Sequence, residues 1–518
     1  MTVDRAHEIR LIASPRSPNT LSAVRPVVTD TLGEGWSVQR LVPRSRLVLV
    51  RGPSESPVGT EAYARESHEA AVALSRTNRF TKVEADIPIR GYAEEEKAIA
   101  EDEVGAFAPP LRWVHDILRW DAALAAMPAG VRGGRGIRIG QPDTGYTDHP
   151  NLGPDGLDLN VDRDVIEGSN DARDDLEQHP LWPLPFPGHG TATSSVVVGH
   201  GPADQGIAGL VPEAKLVPIR ATESVVQVFD SDVAKAVAHA RLVDCHVITM
   251  SLGGKGFFGL KEEIQRAVDA GIIVMAAAGN YVRFVTAPAS YANCLAVAAT
   301  GPGDSLWDGS SRGRAVDVAM PGTQVYNARF RDDKSPFVGP GNGTSFAVAH
   351  LAAAAALWLA HHGRDQLITR YGPRNIQAAF LAVLRWPGVC VVPPHWNFDW
   401  GIGRVDLVNL LTAPLPNPAD LDSTGAFGDE VNDAASRIAY AINADPVLVR
   451  TRLAALLNAS DPEQLADLLE LHEGELVYLA YTDPSFATAL SSPGDTGAFA
   501  PEIDTSGVSA TLGSRLSA

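Results

Sequence analysis

The sequence predicts an α/β protein: a mostly parallel sheet covered by helices on both faces, preceded by a small α+β unit and followed by a small helical module. Three observations carry this. Short apolar strands alternate with amphipathic helices through the middle of the chain, which calls for crossover connections and a buried parallel sheet. A length of 518 residues exceeds one ordinary domain. Two breaks in composition, one acidic and one proline-rich, mark off the ends.

Residues 1–93 hold apolar extended runs at 8–13, 36–42, 46–50 and 80–89. A helix is expected at 61–76 between the last two runs. Another is expected at 21–32, weakened by Pro26, which lacks an N–H for the helix ladder. The resulting order is β-α-β-β-α-β. Residues 94–112 begin acidic and end in a Gly/Pro-containing linker, without the spacing of a calcium loop. In residues 113–413, strands are expected at 136–142, 245–250 and 272–277, and helices at 232–241 and 261–269. Ala413-Pro414-Leu415-Pro416-Asn417-Pro418 opens a second linker, 414–430. Residues 431–490 then read as helices at 431–444, 446–457 and 462–471. Residues 491–518, rich in Ser, Gly and Thr, are expected to form a flexible tail. Gly-Ala-Phe-Ala-Pro occurs at both 105–109 and 497–501, most simply as chance in an Ala/Gly-rich chain.

A net charge of −19 argues against nucleic acid and anionic membrane surfaces as partners. No stretch is expected to approach the length needed to span a bilayer. Cys245, Cys294 and Cys390 are scattered in apolar segments, and the N-terminus carries charge at Asp4, Arg5 and Glu8. Both fit a reducing compartment, so a cytoplasmic location is expected.

The chemistry lies in four segments. Asp143-Thr144-Gly145 ends the strand that begins at Gly136, where a buried carboxylate can orient an imidazole. Gly188-His189-Gly190-Thr191 opens a helix, with glycines that let the backbone approach its neighbours. Asn280 ends an apolar strand, and its carboxamide can donate to an oxyanion. Asn342-Gly343-Thr344-Ser345 runs into an Ala-rich helix, so Ser345 sits where unpaired N–H groups face developing negative charge. An aspartic-protease reading needs a second Asp-Thr-Gly on an apolar strand. The one at Asp495-Thr496-Gly497 follows turn residues instead.

The order Asp, His, Asn, Ser with these flanks resembles the subtilisin-like serine proteases, the subtilases. Ser251-Leu252-Gly253-Gly254, Ala319-Met320-Pro321-Gly322 and Gly401-Ile402-Gly403-Arg404-Val405-Asp406 extend the resemblance over about 113–413. It implies a serine endopeptidase with Ser345 as nucleophile, His189 as base and Asp143 as orienting carboxylate, and with Asn280 in the oxyanion hole. It also implies substrate binding along Ser251, Leu252, Gly253 and Gly254 and along Ala278 and Gly279, with the substrate backbone paired as an added strand. Thr286 falls where many relatives carry glycine at the floor of the specificity pocket, which favours small or medium apolar residues. The N-terminal unit resembles an inhibitory propeptide, so the chain's own residues 1–93 become an intramolecular partner and the protein a self-processing zymogen. No metal or cofactor is expected, since His149-Pro150 is followed by Asn151 and not by an acidic residue.

Ala349 stands where the family usually has proline, which raises peptide ligation or a dedicated maturation role as an alternative to general hydrolysis. A catalytically silent protein that uses the cleft only for recognition is the other.

Overall fold

The computed structural model describes residues 5–17, 20–89, 109–177, 186–201, 207–226, 228–282, 284–393, 396–397, 400–421, 434–442, 444–492 and 503–517. The stretches 94–108 and 497–501, with most of both Gly-Ala-Phe-Ala-Pro copies, lie outside them.

The N-terminal unit comprises β1 (Glu8–Pro15), α1 (Leu21–Leu32), β2 (Ser37–Arg40), β3 (Val48–Pro53), α2 (Glu61–Ser75) and β4 (Phe80–Ala85). This is the expected β-α-β-β-α-β order. The strands form one antiparallel sheet in the order β2-β3-β1-β4. Helix α1 forms with Pro26 inside it, because Thr20 caps its start and Val24 and Val28 are buried beneath it. Packing outweighs the missing ladder bond. β1 is buried along its whole length because both faces of its pleat are covered. Ile9, Leu11 and Ala13 join the core beneath α1 and α2. Ile12, from the opposite face, joins a second core with Val233, Val237, Leu260 and Ile264.

The catalytic region is built around a sheet with nine strands among the described residues: β5 (Arg138–Asp143), β6 (Arg163–Asp164), β7 (Lys215–Arg220), β8 (Val247–Met250), β9 (Ile273–Ala277), β10 (Leu295–Thr300), β11 (Val318–Pro321), β14 (Cys390–Val391) and β15 (Arg404–Val405). Their order is β14-β15-β11-β10-β9-β8-β5-β7-β6, parallel throughout except for β14 with β15. The expected mostly parallel sheet is therefore present. A two-stranded hairpin of β12 (Val325–Phe330) and β13 (Pro336–Gly341) was not anticipated.

Four helices matter for the site: α3 (His189–Val198), α4 (Asp230–Leu242), α5 (Phe258–Asp269) and α6 (Thr344–His362). Helices α4 and α5 form the surface on which the N-terminal sheet rests. Arg10 of β1 reaches across to Asp232 of α4 at 2.8 Å, with both side chains buried, and its guanidinium lies 4.0 Å from the Phe229 ring centroid. Breaking a buried pair of this kind costs about 3–5 kcal/mol.

Helix α6 corrects one expectation. It is long and apolar enough to cross a membrane by length and composition, yet 94% of that stretch is buried inside the fold. Its all-round apolar character reflects a position through the middle of the core, beside Val247, Ile273 and Val297.

The C-terminal end departs most from expectation. Helices α7 (Ala434–Ala441), α8 (Pro446–Leu456), α9 (Pro462–Thr482) and α10 (Pro484–Ser491) are followed by α11 (Ala510–Leu516). Thus α9 does not stop at Leu471. Its charged second half is accommodated because Glu473 pairs with Lys82 and Arg437, and Glu475 accepts from Ser509. The segment 503–517 is not a flexible tail either: Val508 and Leu512 are fully buried in the core shared with the N-terminal unit.

Candidate active site

Strand β5 delivers Asp143 to the carboxyl end of the sheet, where it is completely buried. Its Oδ1 accepts a hydrogen bond from Thr144 N at 2.8 Å and lies 2.7 Å from His189 Nδ1. Such a carboxylate holds the imidazole with Nδ1 protonated, leaving Nε2 to act as a base. His189 Nε2 lies 3.1 Å from Ser345 Oγ, within reach for proton transfer. Residues 143, 189 and 345, far apart in the chain, thus form one hydrogen-bonded line.

The approach of the histidine depends on glycine. Gly188 adopts φ +78 immediately before α3. A Cβ on Gly190 would lie 2.1 Å from the Gly145 carbonyl oxygen, so no larger residue lets the two loops meet. Behind them is Asp174, which the sequence did not single out. Its carboxylate accepts from Gly188 N at 2.7 Å and from Thr144 Oγ1 at 2.8 Å. Thr144 Oγ1 in turn accepts from Gly190 N at 3.1 Å. Burial pushes the Asp174 carboxyl up from the usual carboxylate range, against the pull of these hydrogen bonds. One buried side chain therefore joins the aspartate turn to the histidine loop.

Asn280 is fixed through its oxygen. Oδ1 accepts from Thr344 N at 2.9 Å and from Thr344 Oγ1 at 2.8 Å, and Thr344 Oγ1 accepts from Gly279 N at 3.2 Å. This leaves the carboxamide nitrogen turned the other way. Nδ2 and Ser345 N lie 3.5 and 3.6 Å from where a Cβ on Gly343 would sit, so the two donors are close to one another at the start of α6. Thr344 therefore fixes the orientation of the Asn280 carboxamide, a contact invisible in a Gly-Thr-Ser string. Ser251 Oγ donates to the Ser345 carbonyl at 3.0 Å, so its side chain braces the backbone of Ser345.

The segments expected to bind substrate do lie close to the site, with one change. The N–H of Gly253 already donates to Val225 O at 2.9 Å, and that of Gly254 to Ala287 O at 2.8 Å. Both of these N–H groups are therefore already engaged within the chain. Ala278 N donates to Val297 O, and Ala278 O accepts from Thr286 N at 3.0 Å. Thr286 itself fills the space between the two segments: a Cβ on Gly253 would lie 2.6 Å from its Oγ1, and a Cβ on Gly279 would lie 3.2 Å from its Cγ2. A cavity of about 190 Å³ is lined by His189 and Ser345 together with Phe186, Trp307, Phe330, Asn342 and Phe346 among others. None of residues 251–254 lines it.

Comparison with known proteins places this geometry in context. The subtilase family model matches residues 134–384. Thermitase from Thermoactinomyces vulgaris is 32% identical over 235 residues, covering 45% of this chain and 77% of thermitase. Subtilisin E from Bacillus subtilis (strain 168) is 33% identical over 180 residues, 34% of this chain and 46% of its own. Among solved structures, fervidolysin from Fervidobacterium pennivorans matches with a TM-score of 0.55 at 19% identity, over 79% of this chain and 61% of that one. That likeness supports the fold. On these matches the chain belongs to the subtilase family of serine endopeptidases.

Proposed function

We propose that this chain is a self-processing subtilase in which Ser345 attacks the peptide carbonyl, His189 takes and returns the proton, and Asp143 stabilises the imidazolium. Asn280 Nδ2 and Ser345 N stabilise the oxyanion. The observation that carries the reading is the continuous hydrogen-bonded line Asp143–His189–Ser345, at 2.7 and 3.1 Å.

The N-terminal unit acts as the intramolecular inhibitor. Beyond β4 the chain keeps Ile87 and Ile89 buried. Lys255, directly after the 251–254 edge, donates to Ala85 O at 2.9 Å, and Asp86 accepts from Ser231 N at the start of α4. The unit's last strand is thus led towards the substrate edge. Intact mass tests self-processing. Purified wild type is expected to have lost mass through a cut between Ile89 and Pro109, while Ser345→Ala keeps its full length. A cut of the same kind in Ser345→Ala would assign the processing to another protease.

Thr286 sets the preference for a small residue before the scissile bond, because its side chain occupies the volume between Gly253 and Gly279. Thr286→Gly is expected to raise kcat/KM for a Phe substrate relative to its Ala counterpart by at least about tenfold. An unchanged ratio would place the specificity pocket elsewhere.

A further inference from the structure

The N-terminal unit is gripped from two sides. Its sheet rests on α4 and α5, and its helical side and its edge strand β4 meet the C-terminal module. That second contact is built like a domain interior. Leu74, Val83 and Ile87 of the N-terminal unit share one continuous apolar core with Ile438, Leu453, Leu476, Val508 and Leu512. Buried charge is matched across it. Lys82 pairs with Glu473, and Arg437 Nη1 lies 3.2 Å from Glu84 and 2.5 Å from Glu473. Arg437 Nη2 also donates to Gly256 O at 3.2 Å, so one side chain touches all three parts of the chain.

The segment 503–517 adds a separate set of contacts. His68 Nδ1 lies 2.9 Å from Gly507 O, Ser506 Oγ donates to Glu61 at 2.7 Å, and Arg76 donates to Thr511 Oγ1 at 3.0 Å. The module is also seated on the catalytic region directly, through the Phe284–Tyr481 ring pair at 4.7 Å.

We propose that residues 434–517 are a retention clamp: they keep the N-terminal unit seated on the catalytic region after the chain has been cut between Ile89 and Pro109. Such a cut removes only one covalent tether. The freed unit still faces two surfaces that belong to one continuous chain, and leaving requires both to open together. Two linked contacts of this kind hold about 10²–10⁴-fold more tightly than either alone. Activation then has a second step, in which the module is displaced or removed. Retention follows from these contacts alone, whereas its effect on activity rests on the inhibitor reading above.

The test uses the full chain with Ser345→Ala, so that it cannot cut itself, and with a recognition sequence for a site-specific protease inserted between Ile89 and Pro109. After cutting, the N-terminal fragment is expected to co-elute with the remainder on size exclusion. Arg437→Ala, or a chain ending at Ser492, is expected to release it at least 10²-fold faster, with Arg437→Lys restoring part of the retention. Thermal melts show whether these variants fold. Should they fail, Glu61→Ala with Arg76→Ala removes surface contacts without touching the core, and release is expected several-fold faster.

A fragment that leaves the unaltered module as fast as it leaves these variants would overturn the clamp. Repeating the cut with Ser345 intact separates the two readings. A fragment that stays bound while peptidase activity is full ends the inhibitor reading and leaves the clamp standing; a fragment that leaves at once ends the clamp.

Discussion

Replacing Ser345 with Ala is expected to lower the rate of peptide hydrolysis by about 10⁶-fold, the size this loss takes in subtilisin itself. The reason is geometric as well as chemical. His189 Nε2 has Ser345 Oγ at 3.1 Å, and in the proposed mechanism the same serine's N–H also donates to the oxyanion. The substitution removes the nucleophile but leaves α6, Asn280 and Thr344 in place, so KM should change little. Initial rates on a short fluorogenic peptide, with equal melting temperatures for the two proteins, check this. A loss smaller than a hundredfold would mean that another residue, or water, performs the attack.

Asp143→Ala is expected to cost about 10⁴-fold in kcat, again with little effect on KM. Asp143 is fully buried, and in the proposed mechanism it supplies the negative charge next to the imidazolium that forms as Ser345 loses its proton. Nothing else within the line can replace that charge. The buried Asp174 behind the loop spends its oxygens on Gly188 N, Thr144 Oγ1 and Leu176 N. Single-turnover kinetics separate the chemical step from binding. An effect confined to KM would assign Asp143 to binding and not to the proton-transfer line.

The parts of this site legible in the sequence are those whose signal is local. Asp143, His189 and Ser345 each sit in a short glycine-bearing motif at a strand end or helix start, and the alternation around them announces the parallel sheet. The supporting residues carry no such signal. Thr344 matters because Asn280, sixty-four positions away, brings its oxygen to it. Asp174 matters because two turns happen to close over it. Ser251 reads as part of a substrate edge, and only the fold shows its hydroxyl on the Ser345 carbonyl.

The N-terminal strands and their order were readable from apolar runs. The double burial of β1 was not, since Arg10 on its outer face looks like a solvent residue until Asp232 lies opposite. The C-terminal end failed for a related reason. Between 503 and 517 only two large apolar side chains, Val508 and Leu512, are buried, too few for a periodic pattern, and Ser, Gly and Thr dominate the composition. Their burial comes from a partner surface more than 400 residues earlier in the chain, for example at His68.

The central claim is that Ser345 is activated by His189 within this line. Treatment with a small fluorophosphonate followed by peptide mapping tests it most directly, since such a reagent reacts preferentially with an activated hydroxyl and Ser345 lines a cavity of about 190 Å³. One adduct, on Ser345, lost in His189→Ala, is the predicted result. An adduct on any other residue, or labelling that survives His189→Ala undiminished, would contradict the account.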